Sequence, residues 1–243
     1  MSKVMLVTGS SRGIGAATVL LAAENGFDVI VNYVHNVDAA QHVVTSIQER
    51  GQHAIAIQAD IACQADVDMM FAAIDDHFGK LDALVNNAGT LEQQMPLEDM
   101  TVDRWQRVFA VNVFGTFLCC QKAIKRMKAG SGIVNVSSIA ATLGSPFEYV
   151  DYAASKAAVD TLTIGLAKEV ASRGIRVNTV RPGTIHTEIH ALGGEPERAE
   201  RVKASIPMQR VGEAQEIAEA ILWLLSDKAS YMTGACVDVS GGR

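Results

Sequence analysis

The feature that most constrains this chain is a repeated alternation of two segment lengths. Short, nearly continuous apolar runs occupy residues 4–7, 29–31, 54–57, 83–85, 133–136, 176–180 and 236–239. Longer segments of helical period lie between them, among them 67–77, 102–128, 152–173 and 213–225. A strand with one wet face alternates apolar and polar residues, whereas a strand that is apolar throughout is buried on both faces. Such runs separated by helix-length connections predict an α/β fold, a single doubly wound parallel sheet of about seven strands with helices on both faces. The 243 residues carry no low-complexity linker and no internal repeat, which fits one domain, 1–243. The least regular stretch, 185–207, holds Gly193, Gly194, Pro196 and a charged cluster, and is expected to form a substrate lid.

Composition narrows the class of partner. Lysine and arginine number 21 against 27 acidic residues, a net charge of −6. That balance leaves no basic footprint for nucleic acid. No apolar run approaches the ~18 residues of a membrane span, so no membrane partner is expected. Met1-Ser2-Lys3 leads directly into the first apolar run, too short for a signal sequence. Cys63, Cys119, Cys120 and Cys236 form no CxxC pair and no cluster with zinc spacing, so no metal is expected. These features point to a cytoplasmic protein with a small-molecule substrate.

The first strand ends in Thr8-Gly9-Ser10-Ser11-Arg12-Gly13-Ile14-Gly15, and a helical pattern begins at once. Glycines let backbone approach a pyrophosphate closely, and the following helix N-terminus supplies free N–H groups and a positive dipole end. The spacing is GxxxGxG rather than GxGxxG. The second strand ends Val31-Asn32-Tyr33 without the carboxylate that would bind a ribose 2′-hydroxyl. Arg12 lies where a guanidinium can meet a 2′-phosphate. NADP is therefore expected, with NAD as the alternative. Asp60, just past the third strand, fits either an adenine contact or a helix N-cap.

Tyr152 and Lys156 are four apart, which on a helix puts them on one face. A tyrosine phenol has an ordinary pKa of about 10. A nearby ammonium, with the charge of oxidised nicotinamide, is expected to lower it into a working range. Alone, the spacing describes an ordinary helix surface. Ser137 and Ser138 end the strand Val134-Asn135-Val136, and Asn86-Asn87-Ala88-Gly89 follows the fourth strand. Ligands gather at such carboxyl ends. Ser138 is placed to share a substrate oxygen with Tyr152. Asn112, a weak helix former inside 102–128, is expected to hold a water linking Lys156 to solvent.

Together these motifs resemble the short-chain dehydrogenase/reductase family in its ~250-residue form. The likeness covers essentially the whole chain: TGSSRGIG at 8–15, Asp60, NNAG at 86–89, Asn112, the NVSS segment, YAASK at 152–156 and RPG at 181–183. It is similar in particular to the bacterial glucose-dehydrogenase-like and 3-oxoacyl-carrier-protein-reductase-like branch. The resemblance implies a Rossmann-type fold and hydride transfer between nicotinamide and a carbonyl or alcohol. It implies Ser138, Tyr152, Lys156 and Asn112 as the catalytic set. It also implies cofactor contacts from Gly9, Ser11, Arg12, Gly13, Ile14, Gly15, Asn32, Asp60, Ile61, Asn87, Ala88, Gly89, Pro182, Gly183, Ile185 and Thr187, with Tyr152 and Lys156 at the nicotinamide end. The alternative from another class is a non-catalytic, dinucleotide-sensing binding protein. The Ser138–Tyr152 interval is fourteen, where the family often has one fewer, and residues 145–151 are expected to absorb the difference. The family tendency to form homotetramers implies burial of the faces of 102–128 and 152–173 and of the C-terminal strand. Glu148, Tyr149, His186 and His190 suggest a polar substrate.

Overall fold

A computed structural model describes residues 2–243, apart from the side chain of His190. The seven expected strands form one wholly parallel sheet: β1 (Lys3–Val7), β2 (Phe27–Tyr33), β3 (Ala54–Gln58), β4 (Ala83–Asn86), β5 (Gly132–Val136), β6 (Arg176–Pro182) and β7 (Cys236–Val239). Their order is β3-β2-β1-β4-β5-β6-β7. The connection from β3 crosses over to the far side of β1, so the switch point lies between β1 and β4. A crevice opens there beyond the carboxyl ends of the strands, the usual place for a ligand in an open α/β sheet.

The unbroken apolar runs divide residue by residue between two cores. Met5 and Val7 pack on one face with α1 (Gly13–Glu24), α2 (Val37–Gln48) and, later in the chain, α10 (Ala214–Leu225). Val4 and Leu6 pack on the other, where α3 (Gln64–Phe78), α5 (Thr116–Ala123) and α7 (Val150–Val170) lie. The two-residue period of the strand sends neighbours to opposite faces, and both faces are covered. α2 has no counterpart among the expected helices. Its start is marked by Asn36, whose side chain accepts from Ala39 N.

Two segments depart from the expected pattern. The single helix expected over 102–128 is α4 (Val102–Phe109), a π-helical turn over Ala110–Gly115, and α5, which ends at Ala123. At Gly115 an added Cβ would sit 2.7 Å from the Ile61 side chain, so helix and Ile61 loop pack too closely for any side chain. The stretch 185–207 is less irregular than its composition suggests. It contains α8 (Ile189–Leu192), α9 (Arg198–Val202) and a 3₁₀ turn over Lys203–Ser205. The remaining short helix, α6 (Ala140–Leu143), follows β5.

Candidate active site

One cleft of about 1150 Å³ runs along the carboxyl ends of the strands. Ser11, Arg12, Gly13 and Ile14 line it at one end, Asp60, Ile61, Asn87, Ala88 and Gly89 in the middle, and Ser138, Tyr152 and Lys156 at the other. Gly9, Asn32, Pro182, Gly183, Ile185 and Thr187 also border it. Gly15 does not; it packs beneath the turn, where an added Cβ would lie 2.6 Å from Gly9 O. Gly9 takes φ +62°, and a side chain there would press on Ala88 at 3.0 Å. The glycine turn is tied from below. Asn32 Oδ1 accepts from Gly9 N at 3.0 Å, and Asn32 Nδ2 donates to Ala59 O at 3.0 Å. Asn87 Nδ2 donates to the carbonyls of Thr8 and Gly9. Asn32 is 1% exposed, so its work is to brace the turn.

Arg12 reaches across the cleft mouth to Glu188, 2.7 Å from Nη1 to Oε2, and both side chains are exposed. Asp60 does not cap α3, whose N-cap is Cys63. Its carboxylate accepts from Ala62 N at 2.9 Å and remains on the cleft wall.

α7 carries the chemistry-bearing pair. Lys156 is 4% exposed, and its Nζ donates to Val136 O at 2.8 Å and lies 5.6 Å from the Tyr152 ring centre. Burial lowers the ammonium to about 8, and Asp160 one turn further along opposes this. The Tyr152 phenol is raised: burial pushes it up, and hydrogen bonding from Ser138 and the charge of Arg198 pull the other way. Burial of the phenol thus sets the direction of the shift, against the lowering expected from a nearby ammonium and oxidised nicotinamide. Ser137 and Ser138 separate as strand alternation requires. Ser137 Oγ donates to Lys156 O at 3.0 Å and locks α7 to β5, while Ser138 faces the cleft and accepts from Ala140 N. Between Ser138 and Tyr152 the chain forms a loop in which Ser145 and Phe147 both adopt left-handed backbone, φ 44° and 64°. Such conformations are uncommon for side chains that carry a Cβ.

Asn112 sits in the π turn and is fully buried. Its Oδ1 accepts from Thr90 N at 2.8 Å, and its Nδ2 donates to Thr90 O and to Ser155 Oγ, each at 2.9 Å. The side-chain amide fastens the NNAG loop to α7. Thr90 and Ser155 were not singled out in the sequence, although Thr90 directly follows NNAG and Ser155 lies inside YAASK. Beneath the site, Asn86, Asn135, Thr163 and Thr179 link β4, β5, α7 and β6 by buried hydrogen bonds of 2.7–2.8 Å. This network fixes the height of α7 over the sheet.

The residues read as polar substrate contacts behave differently. Glu148 Oε2 accepts from Arg198 at 2.6 Å and Oε1 from Arg201 at 2.8 Å. Burial would raise the Glu148 carboxyl, but the two guanidinium groups hold it below its ordinary value. Tyr149 is 3% exposed and donates to Gly193 O. His186 is exposed, 4.0 Å from Glu200 and off the cleft wall. The His190 side chain lies outside the described residues.

Comparison with known proteins agrees with this geometry. A family model described as enoyl-(acyl carrier protein) reductase matches residues 9–243. An Escherichia coli (strain K12) protein named uncharacterized oxidoreductase YgfF is 58% identical over 245 residues, covering 99% of both chains. A 3-oxoacyl-[acyl-carrier-protein] reductase FabG of Staphylococcus aureus (strain Mu50) is 41% identical over 245 residues, covering 100% of this chain and 98% of the relative. The crystal structure of a short chain dehydrogenase from Burkholderia cenocepacia J2315 in complex with NADP superposes with a TM-score of 0.92 at 36% identity, covering 99% of this chain and 97% of that one. Relatives of this kind do not favour a non-catalytic dinucleotide sensor. The chain belongs to the short-chain dehydrogenase/reductase family and is an NAD(P)-dependent oxidoreductase.

Proposed function

We propose that this chain is an NADP(H)-linked carbonyl reductase or alcohol dehydrogenase in which Tyr152 is the general acid or base. The observation that carries this reading is the meeting of the Tyr152 phenol, the Ser138 hydroxyl and the buried Lys156 ammonium in the same cleft as the glycine turn. The cleft suits a dinucleotide on its own geometry. Gly9 in the turn and Gly13 at the start of α1 both take positive φ. At Gly89 a Cβ would come within 3.3 Å of Lys156 Nζ and 3.4 Å of Asn112 Oδ1, so a glycine keeps open the space above both. Gly13 and Ile14 present the α1 N-terminus to a phosphate, and Gly15 lets the turn pack closely beneath them. Asp60 and Ile61 border the adenine side, and Pro182, Gly183, Ile185 and Thr187 the nicotinamide side. Bound there, the cofactor supplies or accepts the hydride.

The side chains do the rest. In reduction, Ser138 donates a hydrogen bond to the carbonyl oxygen, and Tyr152 delivers a proton to that atom as negative charge grows on it. The Lys156 charge, anchored on Val136 O, favours the phenolate that remains. Asn112 serves as a positioning residue through Thr90 and Ser155. Residues 185–207 act as the lid, tied to the glycine turn through Arg12–Glu188.

NADPH oxidation followed at the nicotinamide absorbance, with a panel of ketones, tests the reading. Arg12 tests cofactor choice. An arginine–phosphate contact is worth about 1.5–3 kcal/mol. Arg12→Ala should therefore weaken NADPH binding by roughly 10- to 100-fold and leave NADH binding unchanged. Equal losses for both cofactors would remove Arg12 from the 2′-phosphate site.

The reading extends to a cytoplasmic homotetramer. Val102, Phe114, Phe117 and Ile164 expose large apolar side chains on α4, the π turn, α5 and α7, at 71%, 58%, 43% and 40%. β7 is an edge strand, and its residues are only half-buried or exposed. Apolar faces and open sheet edges of this kind are normally covered by a partner. Sedimentation equilibrium should return four times the chain mass, and Phe117→Lys should lower it; a monomer at micromolar concentration would refute the assembly. Among the described residues no helix is long and apolar enough to cross a membrane.

A further inference from the structure

The substrate end of the cleft carries its own chemical signature. Three features converge there. The first is an apolar wall. Leu91, Ile139 and Val202 are buried and line the same cleft as Tyr152. The second is an apolar rim. Leu143 on α6 and Leu192 on α8 both line the cleft, yet remain 48% and 45% exposed. Leucines that are half-wet around a cavity mouth are covered when an apolar body enters. The third is the state of the polar groups. Arg198 and Arg201 are both engaged by Glu148, and Arg201 is also held by Glu195, with Nη2–Oε2 at 2.8 Å. Gln94 Nε2 donates to the same Glu195 at 2.6 Å. Tyr149 donates to Gly193 O, and Ser205 Oγ donates to Val202 O at 2.6 Å.

These polar groups stitch residues 91–95, 145–151 and 193–205 into one roof. Two cations face two carboxylates, so the ring is neutral. An anionic substrate would have to displace Glu148 or Glu195 from a guanidinium. A polyol would compete with the bonds that already engage Arg198, Arg201, Gln94, Glu148, Glu195 and Tyr149, and a buried hydroxyl without a partner is costly. A hydrocarbon body meets neither obstacle and gains from leaving water.

We propose that the substrate is a neutral ketone, or its secondary alcohol, whose body beyond the reacting carbon is hydrocarbon, seated between Leu91, Ile139, Leu143, Leu192 and Val202. This inference rests on the reading of the cleft as a carbonyl-reducing site. It departs from the expectation of a polar substrate because Glu148 and Tyr149, two of the residues behind that expectation, are internal ties of the roof.

The test uses matched ketones with NADPH and the full-length protein. Across 2-butanone, 2-pentanone, 2-hexanone and 2-octanone, kcat/KM should rise roughly fourfold per added methylene, the factor expected for burying one such group. 2-Pentanone should exceed 4-oxopentanoate, and 3-pentanone should exceed dihydroxyacetone, each by tenfold or more. The double variant Leu143→Ser/Leu192→Ser lies on the exposed rim and should flatten the chain-length slope. A preference for the anion or the polyol, with hydride transfer intact, would overturn the apolar assignment alone. Absence of turnover with every ketone, while fluorescence shows NADPH bound, would instead overturn the reading of the site on which the assignment rests.

Discussion

Tyr152→Phe should lower kcat for ketone reduction by about 10²–10⁴-fold, the range general acid–base groups contribute, with NADPH affinity almost unchanged. The ring remains between Ser138 and Lys156, so packing is preserved and only the transferable proton is lost. The expected size follows from the environment. The phenol is buried and raised, so it holds its proton until charge develops on the substrate oxygen. The Lys156 ammonium, lowered to about 8, is charged below that pH and neutral above it. Ketone reduction by the native protein should therefore be fully supported below about pH 8 and decline as pH rises through it. A Tyr152→Phe variant within tenfold of native, or a native profile flat to pH 10, would remove the phenol–ammonium pair from the chemistry.

The architecture was legible because strands buried on both faces need apolar residues at every position. Met5 and Leu6 look alike in sequence, yet they enter different cores, and only a two-sided sheet accepts both. The glycine turn and the Tyr152–Lys156 spacing were legible for a similar reason, since close approach and one helix face leave short-range marks. The break in 102–128 was not. A π turn inserts without any glycine or proline at its start, and Asn112 is held there by Thr90, twenty-two residues earlier in the chain. The ties at the substrate end were hidden for the same reason. Glu148 looks like a polar contact until Arg198 and Arg201, some fifty residues later, are seen on its two oxygens. Partners that distant leave no local pattern. The phenol's response also depended on burial, which a spacing of four residues does not encode.

The largest effect on stability is expected at Arg104 and Asp151. Arg104 on α4 is 3% exposed at its side chain and Asp151, next to Tyr152 on α7, is 1% exposed. Their contact is bidentate: Nε to Oδ2 at 2.6 Å and Nη2 to Oδ1 at 3.2 Å, while Nη1 donates to Gln93 O at 2.5 Å. The pair thus joins α4, the 91–95 loop and the first turn of α7. Taking two ions out of water is expensive, and their attraction roughly offsets that cost only while both are present. Asp151→Ala leaves a guanidinium buried without its counter-ion and should cost about 3–5 kcal/mol. For a chain of this size that is a fall of roughly 6–20 °C in Tm. The double variant Arg104→Met/Asp151→Leu removes both charges and fills the site with apolar side chains, so it should recover most of the loss. Stability alone would not separate the pair from any other buried contact. Because Asp151 precedes Tyr152, the double variant should also regain its fold while losing the fixed register of the helix start. Its kcat should stay below native although its Tm returns, and native kcat in the refolded double variant would show that the ion pair serves stability only.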